Sequence, residues 1–326
     1  MKQRFITSVI ALSLLATMPV WGQTQVIKRP ETKQNAKPAK AVSRWKWNDG
    51  YIEGLAKVQD KNDKWGFIDK TGKLVIPCQW KRAWSFSEGL ARVMDDNNKW
   101  GFIDKTGKLV MACQWKEINS FSEGIAGVED ESGKHGFVDN TGKIVAPCIY
   151  DGVGYFHEGL AWVGTHGKGV GFIDKTGELV IPQEWSKSEG FSEGLALMDG
   201  WSNGGFIDKT GKVVIPKTWE KAGSFHEGLA SVQDKEERWG FIDKTGTLVI
   251  PHKWKNGYVL LAAPFFRDSL ASVKDDNGKW GFIDKTGVVV IPCKWKWAGD
   301  FINGLAEVRD ESGKSHKINK QGEIVK

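Results

Sequence analysis

The sequence predicts an all-β protein made of eight tandem antiparallel β-meander repeats of about 35 residues. A motif first written KWGFIDKTGKLVIP at 64–77 recurs to the end of the chain. Its glycine stands at Gly66, Gly101, Gly136, Gly171, Gly205, Gly240 and Gly281, and a degenerate eighth copy, SHKINKQGEIV, occupies 315–325. The steps are 34 or 35 residues except the last, of 41, before Gly281. Self-similarity at a fixed period means one supersecondary unit stacked on copies of itself. Within each copy, apolar runs of about five residues alternate with polar turn clusters, and such runs are too short for stable helices.

In the second copy the runs are LARVM (90–94), WGFID (100–104) and KLVMA (108–112). DDNNK joins the first two, and its Asp and Asn residues favour turns by bonding nearby backbone. DKTG joins the next two, with Gly107 free to take the positive φ of a type I turn with a bulge. Trp100 and Phe102 fall on one face and Ile103 on the other, while Leu109 and Met111 oppose Val110. Strands apolar on both faces are expected between layers, and the glycine between Trp and Phe is expected to let a neighbouring sheet come close.

A fourth segment follows: QWKRAWSF at 79–86, QWKEINSF at 114–121, KWKWAGDF at 294–301. It is expected to add an irregular outer strand to the three before it, and a Glu-Gly turn such as Glu88–Gly89 then enters the next unit. Four strands repeated radially give a β-propeller-like arrangement. Residues 45–53 match a lone fourth segment and 304–326 supply three strands, so a ring closed by the N-terminal strand in the last blade is favoured. An open β-solenoid or superhelical stack is the alternative.

Residues 1–22 carry Lys2 and Arg4, then an apolar stretch from Ile6 to Ala16 and small residues up to Gly22, the pattern of a signal peptide. Residues 23–44, rich in Lys, Gln and Pro, are expected to form a disordered basic linker, leaving 45–326 as the repeat domain. The apolar stretch falls short of the ~20 residues a membrane helix needs, so no transmembrane segment is expected in the mature chain. The net charge is +6, but 1–44 carry +7, so the repeat body is nearly neutral. A nucleic-acid partner is therefore not expected.

These residues resemble the WG-repeat (KWG-repeat) family, named for the pair at Trp65–Gly66, Trp100–Gly101, Trp239–Gly240 and Trp280–Gly281. His135, Val170, Gly204 and Ser315 replace the tryptophan, and His316 replaces the last glycine. The resemblance implies a bacterial, often exported, tandem β-repeat protein that binds rather than catalyses, with no active site to carry over.

The recurrent Asp69, Asp104, Asp139, Asp174, Asp208, Asp243 and Asp284 are expected to bond their own turns rather than a metal. Glu53, Glu88, Glu123, Glu158, Glu193 and Glu227 recur before glycine; on one rim they would offer a carbohydrate-active enzyme its carboxylates. Their expected use is again in turns, and the six histidines show no ligand or triad spacing. No cofactor or metal is expected. Most of the 17 tryptophans are expected to pack between units. The irregular Trp84, Trp162, Trp201 and Trp297 are candidate binding residues, because rigid aromatic faces anchor proteins and stack on sugars. The apolar insert NGYVLLAAPFFRD (256–268) adds Tyr258, Phe265, Phe266 and Arg267. Cys78, Cys113, Cys148 and Cys293 share one repeat position and are expected to stay unpaired between face-packed sheets. The expected protein is an exported, non-catalytic scaffold presenting repeated β edges to a protein or glycan in the periplasm, at the cell surface or outside the cell.

Overall fold

Residue 45 and residues 47–199, 204–255 and 263–325 are described by the computed structural model. The segments expected to be a signal peptide (1–22) and a linker (23–44), together with Trp201 and Tyr258, lie outside the described residues. All regular structure among the described residues is β.

The first sheet runs β1 (Trp47–Ile52), β2 (Leu55–Gln59), β3 (Trp65–Asp69), β4 (Leu74–Trp80), hydrogen-bonded in that order. The second runs β5 (Arg82–Ala83), β6 (Leu90–Met94), β7 (Trp100–Asp104), β8 (Leu109–Trp115). The same antiparallel meander recurs at 117–150, 152–185, 188–219, 221–254 and 297–325, with three strands described at 271–295. None of the eight sheets is closed.

Two expectations about strands are corrected. The segment after the third run does not finish its own sheet. The third run itself extends through proline to tryptophan, as Leu74–Trp80, and the chain then crosses to open the next sheet with Arg82–Ala83. Consequently β1 pairs with β2, and the last sheet is supplied by Trp297–Val325, so the N-terminal strand does not complete the last blade. The proline explains the placement: it lacks a backbone donor and is tolerated on an outer strand.

The glycine of the Trp-Gly pair also serves a different purpose from the one expected. Trp100 pairs with Trp115 and Phe102 with Met111, so β8 bulges over Gly101 with extra residues. A Cβ on Gly101 would lie 2.5 Å from the Met111 carbonyl oxygen and 2.9 Å from Ala112 C. The close approach is by the adjacent strand of the same sheet, not by a neighbouring sheet. At the eighth copy the equivalent strand, Ile324–Val325, pairs with Ile318 and Lys317.

Cohesion lies between sheets. The Phe67 face of the first sheet, with Ile76 and Trp80, packs on Ala83, Phe86, Ala91, Val93 and Ile103 of the second. The motif phenylalanine meets the phenylalanine opening the next unit at all seven junctions, as in Phe67–Phe86 (4.9 Å), Phe137–Phe156 (5.1 Å) and Phe282–Phe301 (4.8 Å). Six of these seven pairs are edge-on, the geometry the ring quadrupoles favour. Trp80, Trp100, Trp115, Trp239, Trp254, Trp280 and Trp295 are buried, whereas Trp65, Trp162, Trp185, Trp219 and Trp297 are only half-buried and Trp84 is exposed.

Candidate functional site

The recurrent carboxylates are structural. In the second sheet, Asp104 Oδ1 accepts from Thr106 N (2.8 Å), Thr106 Oγ1 (2.6 Å) and Lys108 N (3.1 Å). The Thr106 hydroxyl above all, then the backbone donors, holds this carboxyl below its ordinary value. The same bonds recur at Asp69, Asp139, Asp174, Asp208, Asp243 and Asp284. Among the described residues no three His, Cys, Asp or Glu side chains are grouped to hold a metal ion.

The glutamates before glycine reach further than their own turn. They sit at positive φ, 50–54°, and each carboxylate accepts from the backbone of the corresponding turn one sheet later. Glu53 takes Gly89 N (3.1 Å), Glu123 takes Gly159 N (3.0 Å), Glu158 takes Gly194 N (2.9 Å) and Glu227 takes Ser269 N (3.0 Å). Asp268 continues the series to Gly304 N at 2.7 Å. Lysines of the Asp-Lys-Thr-Gly turns add ion pairs: Lys105–Glu53 (3.1 Å), Lys175–Glu123 (3.0 Å), Lys209–Glu158 (3.1 Å) and Lys285–Glu227 (3.1 Å). The rim is thus a ladder of inter-sheet latches. Desolvation pushes the Glu123 carboxyl up, but the bonds from Lys175, Gly159 N and Glu158 N outweigh it and leave it below its ordinary value.

The turn aspartates and the Glu123 latch, whose folded values are lowered, stabilise the fold above their unfolded pKa of roughly 4. That contribution is lost as pH falls through the folded values. The thermal midpoint should therefore drop steadily from pH 5 to pH 2, and a midpoint unchanged over that interval would contradict the structural role of these carboxylates.

The candidate aromatic residues do not converge. Trp84 is 50% exposed, with the Arg92 guanidinium 4.9 Å and the Lys57 ammonium 5.7 Å from its ring. Trp297 is half-buried under Arg309 (5.1 Å). Phe265 is half-buried and stacks on His226 at 4.9 Å, where burial lowers the imidazole pKa. Arg267 bridges to Leu270 through its backbone. Phe266 is 1% exposed and packs on Phe241, so it occupies the repeated core position and not a surface lip. Trp162 is half-buried and lines a cavity of about 360 Å³.

The four cysteines are thiols rather than disulfides and are half-buried. Burial pushes the Cys113 and Cys148 thiols up to about 11, so they are poor nucleophiles at neutral pH.

Sequence reasoning missed the outer strand. Its leading aliphatic pair, expected between layers, faces outward: Leu74–Val75, Leu179–Val180, Val213–Val214, Leu248–Val249 and Val289–Val290 are exposed, and Ile144 reaches 58%. The next residue (Ile76, Met111, Ile181, Ile215, Ile250, Ile291) turns inward, as does the closing tryptophan at Trp80, Trp115, Trp254 and Trp295. The proline and the bulge blunt the strand's free edge for main-chain pairing, so the surface is offered by side chains.

Tandem four-stranded units, stacked and latched end to end, define a β-repeat scaffold. The family described as WG containing repeat matches residues 65–100, 100–134, 136–168, 171–198, 205–237, 239–280 and 280–314, and the chain belongs to this family. No curated protein matches the chain. Among solved structures it is similar to the computationally designed Ika8 protein, at 11% identity and TM-score 0.44, covering 83% of this chain and 94% of that one. It is also similar to BamB from Moraxella catarrhalis, at 10% identity and TM-score 0.32, covering 82% of each. Among the described residues no helix is long and apolar enough to cross a membrane.

Proposed function

We propose that the protein is an exported, non-catalytic binding scaffold whose repeated outer strands contact a protein or a glycan at the cell envelope or beyond it. The observation that carries this reading is the outward-facing aliphatic pair repeated on successive outer strands. Exposed apolar side chains ordered in a row favour association, because covering them removes apolar surface from water. Aliphatic pairs suit a protein surface, whereas a glycan would use the exposed Trp84 and its neighbouring cations. Export is supported by the sequence of residues 1–22. A non-catalytic role is supported by the employment of the recurrent Asp and Glu carboxylates in turns and latches, which leaves the enzyme alternative without its rim of free acids.

The test is capture of envelope proteins and a glycan array by the mature chain, alongside a variant carrying serine at Leu179, Val180, Val213 and Val214. These side chains are exposed, so the variant should fold. Loss of the captured ligand in the variant is expected. A blank result across proteins and sugars, or capture indifferent to the four serines, would overturn the reading.

A further inference from the structure

The turn that opens each sheet begins with a residue whose backbone bridges to the residue three further on. The bridge recurs as Ser87–Leu90, Ser122–Ile125, His157–Leu160, His226–Leu229 and Arg267–Leu270. At two junctions the side chain of that first residue reaches the next sheet: Ser122 Oγ donates to Phe156 O at 2.7 Å, and Ser192 Oγ donates to Phe225 O at 2.6 Å. A hydroxyl in this role carries no charge near neutral pH. His226 occupies the same position between the sixth and seventh sheets, and there the contact is made by an ionisable ring.

The chain entering the seventh sheet is packed down on the sixth. Phe265 lies against the His226 ring, with centroids 4.9 Å apart and planes inclined by 44°. Pro264 is buried. Ala263 stands over Gly223, where an added Cβ would come within 2.8 Å of the Ala263 methyl. His157 is the contrasting case. It holds the same position between the fourth and fifth sheets but is exposed, and its ring faces Gly190, which has no side chain to meet it.

Charges from four elements act on the His226 ring. Glu193 of the fifth sheet, Glu227 of its own turn and Asp300 at the entry of the eighth sheet favour a proton there, and Arg267 of the seventh sheet opposes one. The carboxylates are already engaged. Glu193 accepts from Gly228 N (2.9 Å) and pairs with Lys244 (3.2 Å). Glu227 accepts from Ser269 N (3.0 Å) and pairs with Lys285 (3.1 Å), and Asp300 accepts from Ser272 Oγ (3.2 Å). Burial under the stem outweighs their pull and holds the imidazole below its ordinary 6.5. An open junction therefore takes up a proton that the closed one refuses. Closure is unaffected above pH 6.5 and loses stability as pH falls from there toward the folded value. The serine bonds do not titrate in that window.

We propose that the contact between the sixth and seventh sheets is an acid-released joint: a proton on His226 frees Phe265 and the stem that begins at Ala263, while the junctions closed by serine hold. Phe266 stays on Phe241 in the core, so the release is local and leaves the stack intact. The joint goes beyond the scaffold reading and does not depend on what the outer strands bind.

Amide exchange by mass spectrometry on the full chain at pH 7.5 and pH 5.5, corrected for the intrinsic pH dependence of exchange, reads the joint. Both conditions lie above the range in which the turn aspartates titrate. Protection across 263–274 should fall about threefold or more on acidification. Protection across 153–164, the equivalent stretch held by Ser122, should not change. His226→Gln removes the ionisable ring and His226→Ser restores the hydroxyl of other copies; each should abolish the response at 263–274. A fall shared equally by both stretches would overturn the proposal. So would protection that rises at pH 5.5, the result expected if a cation over the Phe265 ring tightened the contact. A response of wild-type size persisting in either variant would assign it to another group and overturn the proposal as well.

Discussion

Gly101→Ala is expected to cost the second repeat about 3 kcal/mol, the upper end of what an inserted core methyl usually costs. The three nearest atoms to the new Cβ are backbone: Met111 O at 2.5 Å, Ala112 C at 2.9 Å and Cys113 N at 2.9 Å. Real Cβ contacts do not come so close, and no side chain can rotate away, so β8 itself must shift. The shift would break the bulge and draw Met111 out of the junction with the third sheet, where it packs with Ile118 and Phe121. Amide exchange across 100–115 measures it, because repeats open locally rather than as one body. A loss under ~0.5 kcal/mol, the range of an ordinary surface substitution, would show that the Trp-Gly glycine is not there for strand clearance.

Phe266→Ala should be the second large effect, at roughly 3–5 kcal/mol for deletion of a buried aromatic ring. Phe266 joins the sixth and seventh sheets through Phe241 at 4.9 Å and belongs to the cluster containing Trp239, Trp254, Ile250 and Val273. Phe265→Ala is the matched comparison. Phe265 is half-buried against His226 and should lose only about 1 kcal/mol, the scale of one aromatic contact. Chemical denaturation of the two variants, with exchange read at 239–283, separates them. Equal losses would contradict the assignment of Phe266 to the core and return it to the surface.

Much of the fold is legible from the period alone. The short apolar runs, the turn aspartates and the Gly107 bend follow from local chemistry, and they appear in the structure at the residues that carry that chemistry. Pairing across longer distances is not legible in the same way. The string LVIPCQW reads as a strand that stops at proline, yet it continues to Trp80 because an outer strand needs no donor on its free side. That single extension moves every following segment into the next sheet. Leu74 and Val75 look like core residues because both are aliphatic; their exposure depends on being at the edge, which composition does not record. The Glu53 latch spans 36 residues to Gly89, and only the stacked geometry brings the two together.

The candidate site was legible in part. Trp162 stands out in sequence as an irregular tryptophan, and Val170 as a departure from the Trp-Gly pair. That the two line one cavity depends on the sheet-to-sheet packing. Phe266 was hidden by the insert, because the chain returns to register only at that residue; Asp268 then resumes the latch series at Gly304.

Membership of the first strand gives the sharpest discrimination. β1 pairs with β2 through Trp47–Gln59, Asn48–Val58, Tyr51–Ala56 and Ile52–Leu55, so each four-stranded unit holds its own opening strand. Removing residues 1–52 and following amide exchange by mass spectrometry tests this directly. The account predicts faster exchange in Leu55–Asp69 with Leu305–Val325 unchanged. Faster exchange in Leu305–Val325, with Leu55–Asp69 still protected, would contradict it.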